Sequence, residues 1–182
     1  EAPYVVERLK KLGKEVGMIT GDRTYTAKFI GERLGIETVF SEVSPKEKAE
    51  KIRDLQRQGR VVAMVGDGIN DAPAITTADV GIAMGSGTDI AMESGDIIMV
   101  KNDLRDIIFT MELGKYTMKK IKQNLFWAFI YNLIGIPVAG WLLYPFTSFL
   151  LNPIIAGMAM SLSSVSVLTN SLLMKLKNFK SF

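Results

Sequence analysis

The amino-acid sequence predicts an α/β domain with a largely parallel sheet, followed by an α-helical transmembrane hairpin. In the front part, short apolar runs alternate with amphipathic helical patterns, which is typical of helices that cover a parallel sheet. In the back part the charge nearly disappears. All 19 acidic residues lie at or before Glu112, and the last 60 residues carry only three lysines. One chain therefore spans two physical environments.

The composition excludes several classes of site. The 182 residues include no His and no Cys, which removes the usual zinc sites, a His-based catalytic triad and a disulfide framework. The net charge is +3, and the first 122 residues carry 19 basic and 19 acidic residues without a basic cluster, so no nucleic-acid partner is expected. Because the sequence opens at Glu1 inside a helical pattern, we interpret it as a fragment of a longer protein.

The front part, residues 1–101, is predicted as one α/β unit. Strands are expected at 16–20, 61–65, 80–84 and 96–100, and helices at 24–34, at 45–58 and shortly after Thr88. Ser44 is an N-cap, Pro45 takes the first helical position and Glu47 completes a capping box. Gly35 and Gly59 are expected to end the two longer helices.

The back part is predicted as a connecting helix and a membrane hairpin. The expected segments are a connecting helix at 102–124, transmembrane helices at 125–144 and 154–174, an extracytoplasmic loop at 145–153 and a basic cytoplasmic tail at 175–182. Each apolar run approaches the roughly 20 residues that cross a hydrocarbon core. The alternative, a buried hairpin in a soluble protein, is disfavoured because the runs and their loop carry no charge. Lysines flank the outer ends of both runs, which predicts a cytoplasmic α/β domain.

Two of the predicted strands end in loops rich in glycine, hydroxyl and carboxylate groups. These loops are Thr20-Gly21-Asp22 and Gly66-Asp67-Gly68-Ile69-Asn70-Asp71. In an open parallel sheet, ligands bind at the carboxyl ends of the strands. Glycine lets backbone N–H groups approach a phosphate, and Asp67 is the hard oxygen ligand that magnesium prefers. A lysine early in the helix that begins at Pro45, either Lys46 or Lys48, would neutralise phosphoryl charge.

Three segments together resemble the phosphorylation domain of P-type ATPases, which belongs to the haloacid-dehalogenase superfold. They are Thr20–Asp22, Gly66–Pro73 and Ala83–Asp89. The resemblance implies a haloacid-dehalogenase-like α/β domain with a Rossmann-type parallel sheet, ATP and Mg²⁺ as cofactors, and an aspartyl-phosphate intermediate.

The same resemblance implies the roles of individual residues. Thr20 would contact the phosphoryl group, Lys48 rather than Lys46 would neutralise its charge, and Asp67 and Asp71 would bind magnesium. The full implied set is Thr20, Gly21, Asp22, Lys48, Asn70 and Asp71 for catalysis, with Gly66 and Gly68 for cofactor binding. The family's nucleophile motif, Asp-Lys-Thr-Gly-Thr, and its nucleotide-binding domain do not occur in this sequence. The chain alone is therefore not expected to hydrolyse ATP, and an upstream part of the same protein is expected to complete the site.

Polar residues inside the predicted spans indicate a transport path. Tyr131 and Asn132 precede Pro137 in the first span, and Met160 shares a helix face with Ser164 in the second. A thioether suits monovalent copper, whereas calcium or magnesium would require carboxylates, which both spans lack. The patterns Tyr-Asn-x4-Pro and Met-x-x-Ser-Ser resemble the last two helices of copper(I)-transporting heavy-metal P-type ATPases. The implied copper ligands are Tyr131, Asn132, Met160, Ser163 and Ser164.

The sequence thus predicts part of an integral membrane pump that exports copper(I) across the cell membrane. The lipid bilayer and a copper chaperone are the expected partners, besides the upstream part of the protein. Three alternatives stay open: a zinc or cadmium pump of the same branch, a membrane-anchored phosphatase of the same superfold, and a non-catalytic scaffold. The absence of an intramembrane carboxylate disfavours zinc, and the polar residues in both spans disfavour a passive anchor.

Overall fold

The computed structural model describes residues 1–85, 93–101, 103–139 and 153–176. The chain divides after Ile108 into two compact units. The helices are α1 (Ala2–Lys11), α2 (Thr24–Leu34), α3 (Pro45–Arg57), α4 (Ala72–Thr77), α5 (Arg105–Ala139) and α6 (Pro153–Leu172). The strands are β1 (Gly17–Ile19), β2 (Thr38–Phe40), β3 (Ala63–Gly66), β4 (Val80–Met84) and β5 (Ile97–Met99).

The strands of the first unit form two parallel sheets. β1 pairs with β2, with Gly17 opposite Thr38. β3, β4 and β5 form the second sheet in that order, with Ala63 opposite Val80 and Ile82 opposite Ile97. Every strand pairing among the described residues is parallel, which confirms the predicted α/β class. Helix α2 connects β1 to β2 and helix α4 connects β3 to β4, since parallel neighbours need a crossover connection, usually a helix.

The core of the first unit lies between α3, α4 and the second sheet. Ile52, Met64, Ala74 and Ile75 form one buried cluster, and Ile75 is only 1% exposed. Burying one such aliphatic side chain contributes about 1.5–3 kcal/mol. Gly81 lets α4 approach β4, because a Cβ there would lie 2.7 Å from the Ile75 Cγ2 atom. This packing fixes α4 and, with it, the loop that precedes α4.

Local sequence signals predicted most helix ends correctly. The side chain of Ser44 accepts from the Glu47 backbone N–H and the Glu47 carboxylate accepts from the Ser44 N–H, which confirms the capping box. Gly35 and Gly59 take left-handed φ angles of 67° and 80° at the ends of α2 and α3. Strand β2 and helix α4 were missed, since three and six residues are too few to show a period. The short helix predicted after Thr88 lies outside the described residues.

Helix α5 begins in the last residues of the first unit and is one helix of 35 residues that includes Pro137. It continues through residue 124 without a break, so the predicted end of the connecting helix is not marked in the backbone. α6 is followed by a 3₁₀ turn, Leu173–Leu176. Residues 140–152, which contain the end of the first predicted span and most of its loop, lie outside the described part.

The predicted membrane hairpin is not confirmed. Within residues 1–85, 93–101, 103–139 and 153–176, no helix combines the length and the apolar character needed to cross a bilayer.

Candidate functional site

The loop after β1 is held by its own hydrogen bonds. The Thr20 N–H donates to the Phe40 carbonyl at 2.9 Å, which continues the strand pairing by one residue. The Thr20 hydroxyl donates to Asp22 Oδ2 at 2.8 Å and accepts from the Asp22 N–H at 3.1 Å. Gly21 and Asp22 are exposed. The hydroxyl and the carboxylate are therefore fixed together at the carboxyl end of β1, as the sequence predicted.

The loop after β2 supports this turn through residues that the sequence analysis missed. Glu42 has a φ of 57°, an unusual backbone conformation for a residue with a side chain. Its N–H donates to the Asp22 carbonyl at 2.9 Å, and its carboxylate accepts from the Thr24 N–H at 3.4 Å. The Ser41 and Thr24 hydroxyls lie 2.9 Å apart. No local pattern could have revealed these contacts, because they join residues about 18 positions apart.

Helix α3 and the residue that precedes it contact both predicted loops. The Val43 N–H, just before α3, donates to the Thr20 carbonyl at 3.1 Å. One turn later the Lys48 Nζ atom lies 2.7 Å from Asp71 Oδ1, and the two side chains are only 13% and 16% exposed. Lys46, the alternative lysine, is exposed. Lys48 is therefore the lysine that reaches the loop after β3.

The loop after β3 depends on a close approach between Gly66 and Asp71. A Cβ placed on Gly66 would lie 2.6 Å from the Asp71 Cβ, so only glycine leaves room for this aspartate. The Asp71 N–H donates to the Gly68 carbonyl at 2.9 Å, and the Asp71 carbonyl accepts from Ile75 at 2.8 Å as α4 begins. Asp67 and Asn70 are exposed in the same loop. The loop thus holds one carboxylate firmly and presents another to solvent.

The donors in this loop fit magnesium only as part of a larger site. Across the described residues there is no group of three or more acidic side chains that could hold a metal ion. Magnesium, however, usually takes one or two carboxylates and fills its remaining positions with phosphate oxygens and water. Asp67 is exposed, and Lys48 engages Oδ1 of Asp71 rather than Oδ2. Two carboxylates in one loop are also the number that such a site takes from the protein.

A cleft lies between the two sheets of the first unit. It has a volume of about 380 Å³ and is lined by β1, by the start of β3 and by the apolar side of α3. In the part of the chain that the structure describes, β1 pairs only with β2, and β3 pairs only with β4. Both strands therefore turn an unpaired edge towards the cleft.

Two acidic side chains brace the starts of the strands of the second sheet, at the edge opposite the loop after β3. Asp79 accepts from the Val62 N–H at 2.8 Å, and this backbone hydrogen bond lowers the pKa of the Asp79 carboxyl, as does its bond with Gln56. Asp96 accepts from the Gly81 N–H at 2.7 Å. Both carboxylates anchor the start of one strand to a neighbouring segment. The sequence gives no sign of either role, because each partner is distant along the chain.

The predicted copper ligands do not meet between α5 and α6. The Tyr131 hydroxyl lies 3.3 Å from the Ser166 Oγ atom on the facing helix. The Asn132 amide donates to the Ala128 carbonyl of its own helix at 3.1 Å, and it is exposed. Met160 is 70% exposed, and the Ser164 hydroxyl donates to the Met160 carbonyl of its own helix at 3.4 Å. Ser163 is half-buried. Asn132, Met160 and Ser164 therefore face away from the α5–α6 contact.

A chain of polar contacts that the sequence analysis did not identify joins α5 to α6. The Lys120 Nζ atom donates to Asn170 Oδ1 at 2.7 Å. The Asn170 amide donates to Asn124 Oδ1 at 2.7 Å, and the Asn124 amide donates to the Ser171 hydroxyl at 2.9 Å. We call these four residues the amide clamp. It fixes the register of the two helices, and with it the Tyr131–Ser166 pair further along.

Comparison with known proteins places this geometry in a family. Residues 1–79 match the haloacid dehalogenase-like hydrolase family. A probable copper-transporting ATPase of Synechocystis sp. is 55% identical over 174 residues, which is 96% of this chain and 23% of that protein. A probable copper-exporting P-type ATPase of Archaeoglobus fulgidus is 53% identical over 96% of this chain and 22% of its own length. A probable copper-importing P-type ATPase of Enterococcus hirae is 52% identical over 99% of this chain and 24% of its own length.

Solved structures agree with these sequence relatives. A zinc-transporting PIB-type ATPase in the E2·Pi state matches 93% of this chain and 27% of its own with a TM-score of 0.83 and 34% identity. The catalytic domain of a CPx-ATPase, CopB-B, matches 60% of this chain and 44% of its own, with a TM-score of 0.57 and 36% identity. The chain spans about a quarter of the length of these curated relatives. With sequence matches along almost its whole length and the same catalytic fold, the chain belongs to the copper-transporting branch of the heavy-metal P-type ATPases.

Proposed function

We propose that this chain forms the magnesium- and phosphoryl-binding half of the phosphorylation site in an ATP-driven copper(I) pump. The observation that carries the proposal is the contact between Lys48 and Asp71, 2.7 Å long and mostly shielded from solvent, beside the exposed Asp67. A structural turn after a strand needs neither a partly buried lysine nor a second carboxylate. The link from Val43 to Thr20 connects the same helix to the other loop.

Each residue has a defined task in this proposal. The Thr20 hydroxyl and the backbone N–H groups of the glycine-containing loops bind the phosphoryl oxygens. Lys48 neutralises phosphoryl charge from a position that Asp71 fixes, which avoids reorganisation during the reaction. Asp67 and Asp71 would hold magnesium, which supplies further charge neutralisation and orients the phosphoryl group. Asn70 keeps the loop in the conformation that presents these groups.

The upstream part of the protein would complete this site through the cleft between the sheets. The resemblance requires an aspartate nucleophile that this sequence does not contain. Strands β1 and β3 both offer an unpaired parallel edge beside the cleft, and hydrogen-bonded strands lie about 4.8 Å apart. An extended upstream segment seated there would join the two sheets. Its carboxyl end would then carry the nucleophile to the loops after β1 and β3.

Copper(I) is the proposed cargo, with Tyr131, Asn132, Met160, Ser163 and Ser164 as ligands from this chain. Relatives named as copper-transporting are 49–55% identical, whereas the zinc-transporting structure is 34% identical. Met160 offers a soft thioether, and no carboxylate lies in the predicted spans. Three of the five residues face away from the α5–α6 contact. They could therefore bind copper(I) together with residues from other helices of the complete protein.

We further propose that residues 125–144 and 154–174 form a membrane hairpin in the cell membrane, with the α/β unit on the cytoplasmic side. Large apolar side chains on both helices are well exposed in this chain, among them Phe129 at 66%, Leu133 at 69% and Leu168 at 60%. A bilayer or neighbouring membrane helices would cover this surface. Copper export is the proposed direction, and a copper chaperone is the proposed donor.

The catalytic role of Lys48 is tested by replacing two lysines of the same helical turn, one at a time, in the complete protein. Lys48→Gln should lower the level of phosphoenzyme formed from ATP by about 100-fold or more, since it removes a charge that stabilises the transferring group. Lys46→Gln, the matched control, should stay within about twofold because an exposed lysine contributes little. Equal losses, or a larger loss at Lys46, would reject the proposed site.

The cargo is tested with two methionines of α6. Met160→Ile should abolish stimulation of ATP hydrolysis by copper(I), while phosphorylation by inorganic phosphate persists. Met158→Ile is the control, since Met158 is also exposed, at 60%, but lies on a different side of the helix. Stimulation by zinc instead of copper would favour the alternative cargo. Copper uptake by inside-out vesicles would indicate export, and copper loss from them would indicate import.

A further inference from the structure

Helix α5 carries a basic and aromatic stripe that neither proposed site uses. We call it the lysine–aromatic face; it lines an open groove of about 690 Å³ and consists of Lys115, Met118, Lys119, Lys122, Gln123, Phe126 and Trp127. Steps of three and four residues place these side chains on one side of the helix. Lys120 is not among them, because it points to Asn170 on α6. The stripe is therefore separate from the amide clamp.

The groups along this face change in character from one end to the other. Three lysines occupy the N-terminal end, and Phe126 and Trp127 occupy the C-terminal end, with their rings 5.6 Å apart in an edge-on arrangement. Phe126 is 57% exposed and Trp127 is 42% exposed. Among the described residues that line the groove, none is acidic. A ligand that fits it has an anionic group at one end and an apolar chain at the other.

We propose that the lysine–aromatic face binds an anionic phospholipid, with the phosphate over the three lysines and an acyl chain along Phe126 and Trp127. This inference rests on the proposed membrane hairpin, because the face continues directly into its first segment. Basic residues beside a membrane helix attract anionic headgroups, and aromatic rings prefer the interface below them. The cationic group of a zwitterionic headgroup would meet the same lysines, so anionic lipid is selected over phosphatidylcholine.

The two tryptophans of the chain provide a direct test. Trp141→Phe leaves Trp127, inside the groove, as the sole tryptophan. The 182-residue chain is placed in nanodiscs that contain either brominated phosphatidylglycerol or brominated phosphatidylcholine in the same background lipid. Bromine quenches tryptophan on contact, so quenching of Trp127 reports which lipid lies in the groove. We expect phosphatidylglycerol to quench at a concentration several-fold lower than phosphatidylcholine does.

Matched variants identify the groups responsible. Replacing Lys115, Lys119 and Lys122 with glutamine should remove the preference, since each basic residue near an anionic lipid is worth roughly a fivefold change in binding. Lysine-to-arginine changes at the same positions should retain it, which separates loss of charge from misfolding. The control that removes three charges elsewhere, Lys28→Gln, Arg53→Gln and Lys101→Gln, should also retain it.

The outcomes distinguish this proposal from the one on which it rests. Equal quenching by both lipids would overturn the lipid site and leave the membrane hairpin standing. Quenching by neither would overturn both. Loss of the preference in the distant control variant would attribute it to net charge and would likewise overturn the site.

Discussion

Replacing Gly66 with alanine tests whether the loop after β3 is held by steric necessity. The added Cβ would lie 2.6 Å from the Asp71 Cβ and 3.0 Å from its Oδ2 atom. Carbon atoms pack at about 3.5–4.0 Å, so Asp71 must retreat by about 1 Å. This shift disturbs its 2.7 Å contact with Lys48. Overpacking of this kind costs about 1–3 kcal/mol.

This cost converts into a measurable melting shift. For a domain of about 100 residues, 1 kcal/mol lowers the Tm by roughly 4–8 °C, so Gly66→Ala should lower the Tm of the α/β unit by at least about 4 °C. The assay is thermal unfolding of the chain in detergent, together with phosphoenzyme formation by the complete protein. In a Lys48→Gln background the alanine should cost less, since the contact that it disturbs is already gone.

Gly68→Ala is the matched control for this prediction. It adds the same methyl group two residues away, where the nearest atom, the Asn70 nitrogen, is 3.9 Å distant. Its Tm should therefore change by less than about 2 °C, as expected for a substitution that meets no neighbour. Equal shifts for both variants, or no shift for Gly66→Ala, would refute the steric reasoning.

Two further predictions concern contacts outside that loop. Asn170→Leu should weaken the association of α5 and α6 by about 0.6–2 kcal/mol, since it removes the acceptor of Lys120 and the donor to Asn124. Unfolding in a denaturing detergent measures this loss. An unchanged unfolding midpoint would contradict the amide clamp. Hydrogen bonds from Arg105 lower the pKa of Asp103 from 3.8 to about 2. The stabilisation from Asp103 is therefore complete above about pH 4 and is lost as the pH falls towards 2. Asp103→Asn should flatten the decline of Tm with pH in that window. An identical decline of Tm in the wild-type protein and the variant would disprove the role of Asp103.

The parts of the fold that could be predicted from sequence were those with local causes. The capping box of α3 needs only Ser44 and Glu47, three residues apart, and both of its hydrogen bonds occur in the structure. The glycines that end α2 and α3 act within one helical turn. Glu42 and Asp79 instead act through partners about 17–20 positions away. Their roles depend on how strands and loops meet, which no local pattern encodes.

The predicted copper ligands of the second unit also show what a local sequence pattern cannot predict, because the motif groups residues that the helix geometry separates. Tyr131 and Asn132 are adjacent in sequence, and the motif groups them as one set. Neighbouring residues on a helix, however, point about 100° apart. In the structure Tyr131 therefore meets Ser166 on α6, while Asn132 is exposed. The sequence could name the residues of the set, but only the helix pairing shows which of them face each other.

The open edges of β1 and β3 affect how prone the newly synthesised protein is to aggregate. An unpaired strand edge is a template on which another chain can add by backbone hydrogen bonding, and such edges promote aggregation. Here two of them border the same cleft, so a molecule in which the proposed upstream segment fails to insert would expose both at once. A substitution that merely slows this insertion should thus show itself first as lost solubility and low yield, before any defect in turnover can be measured.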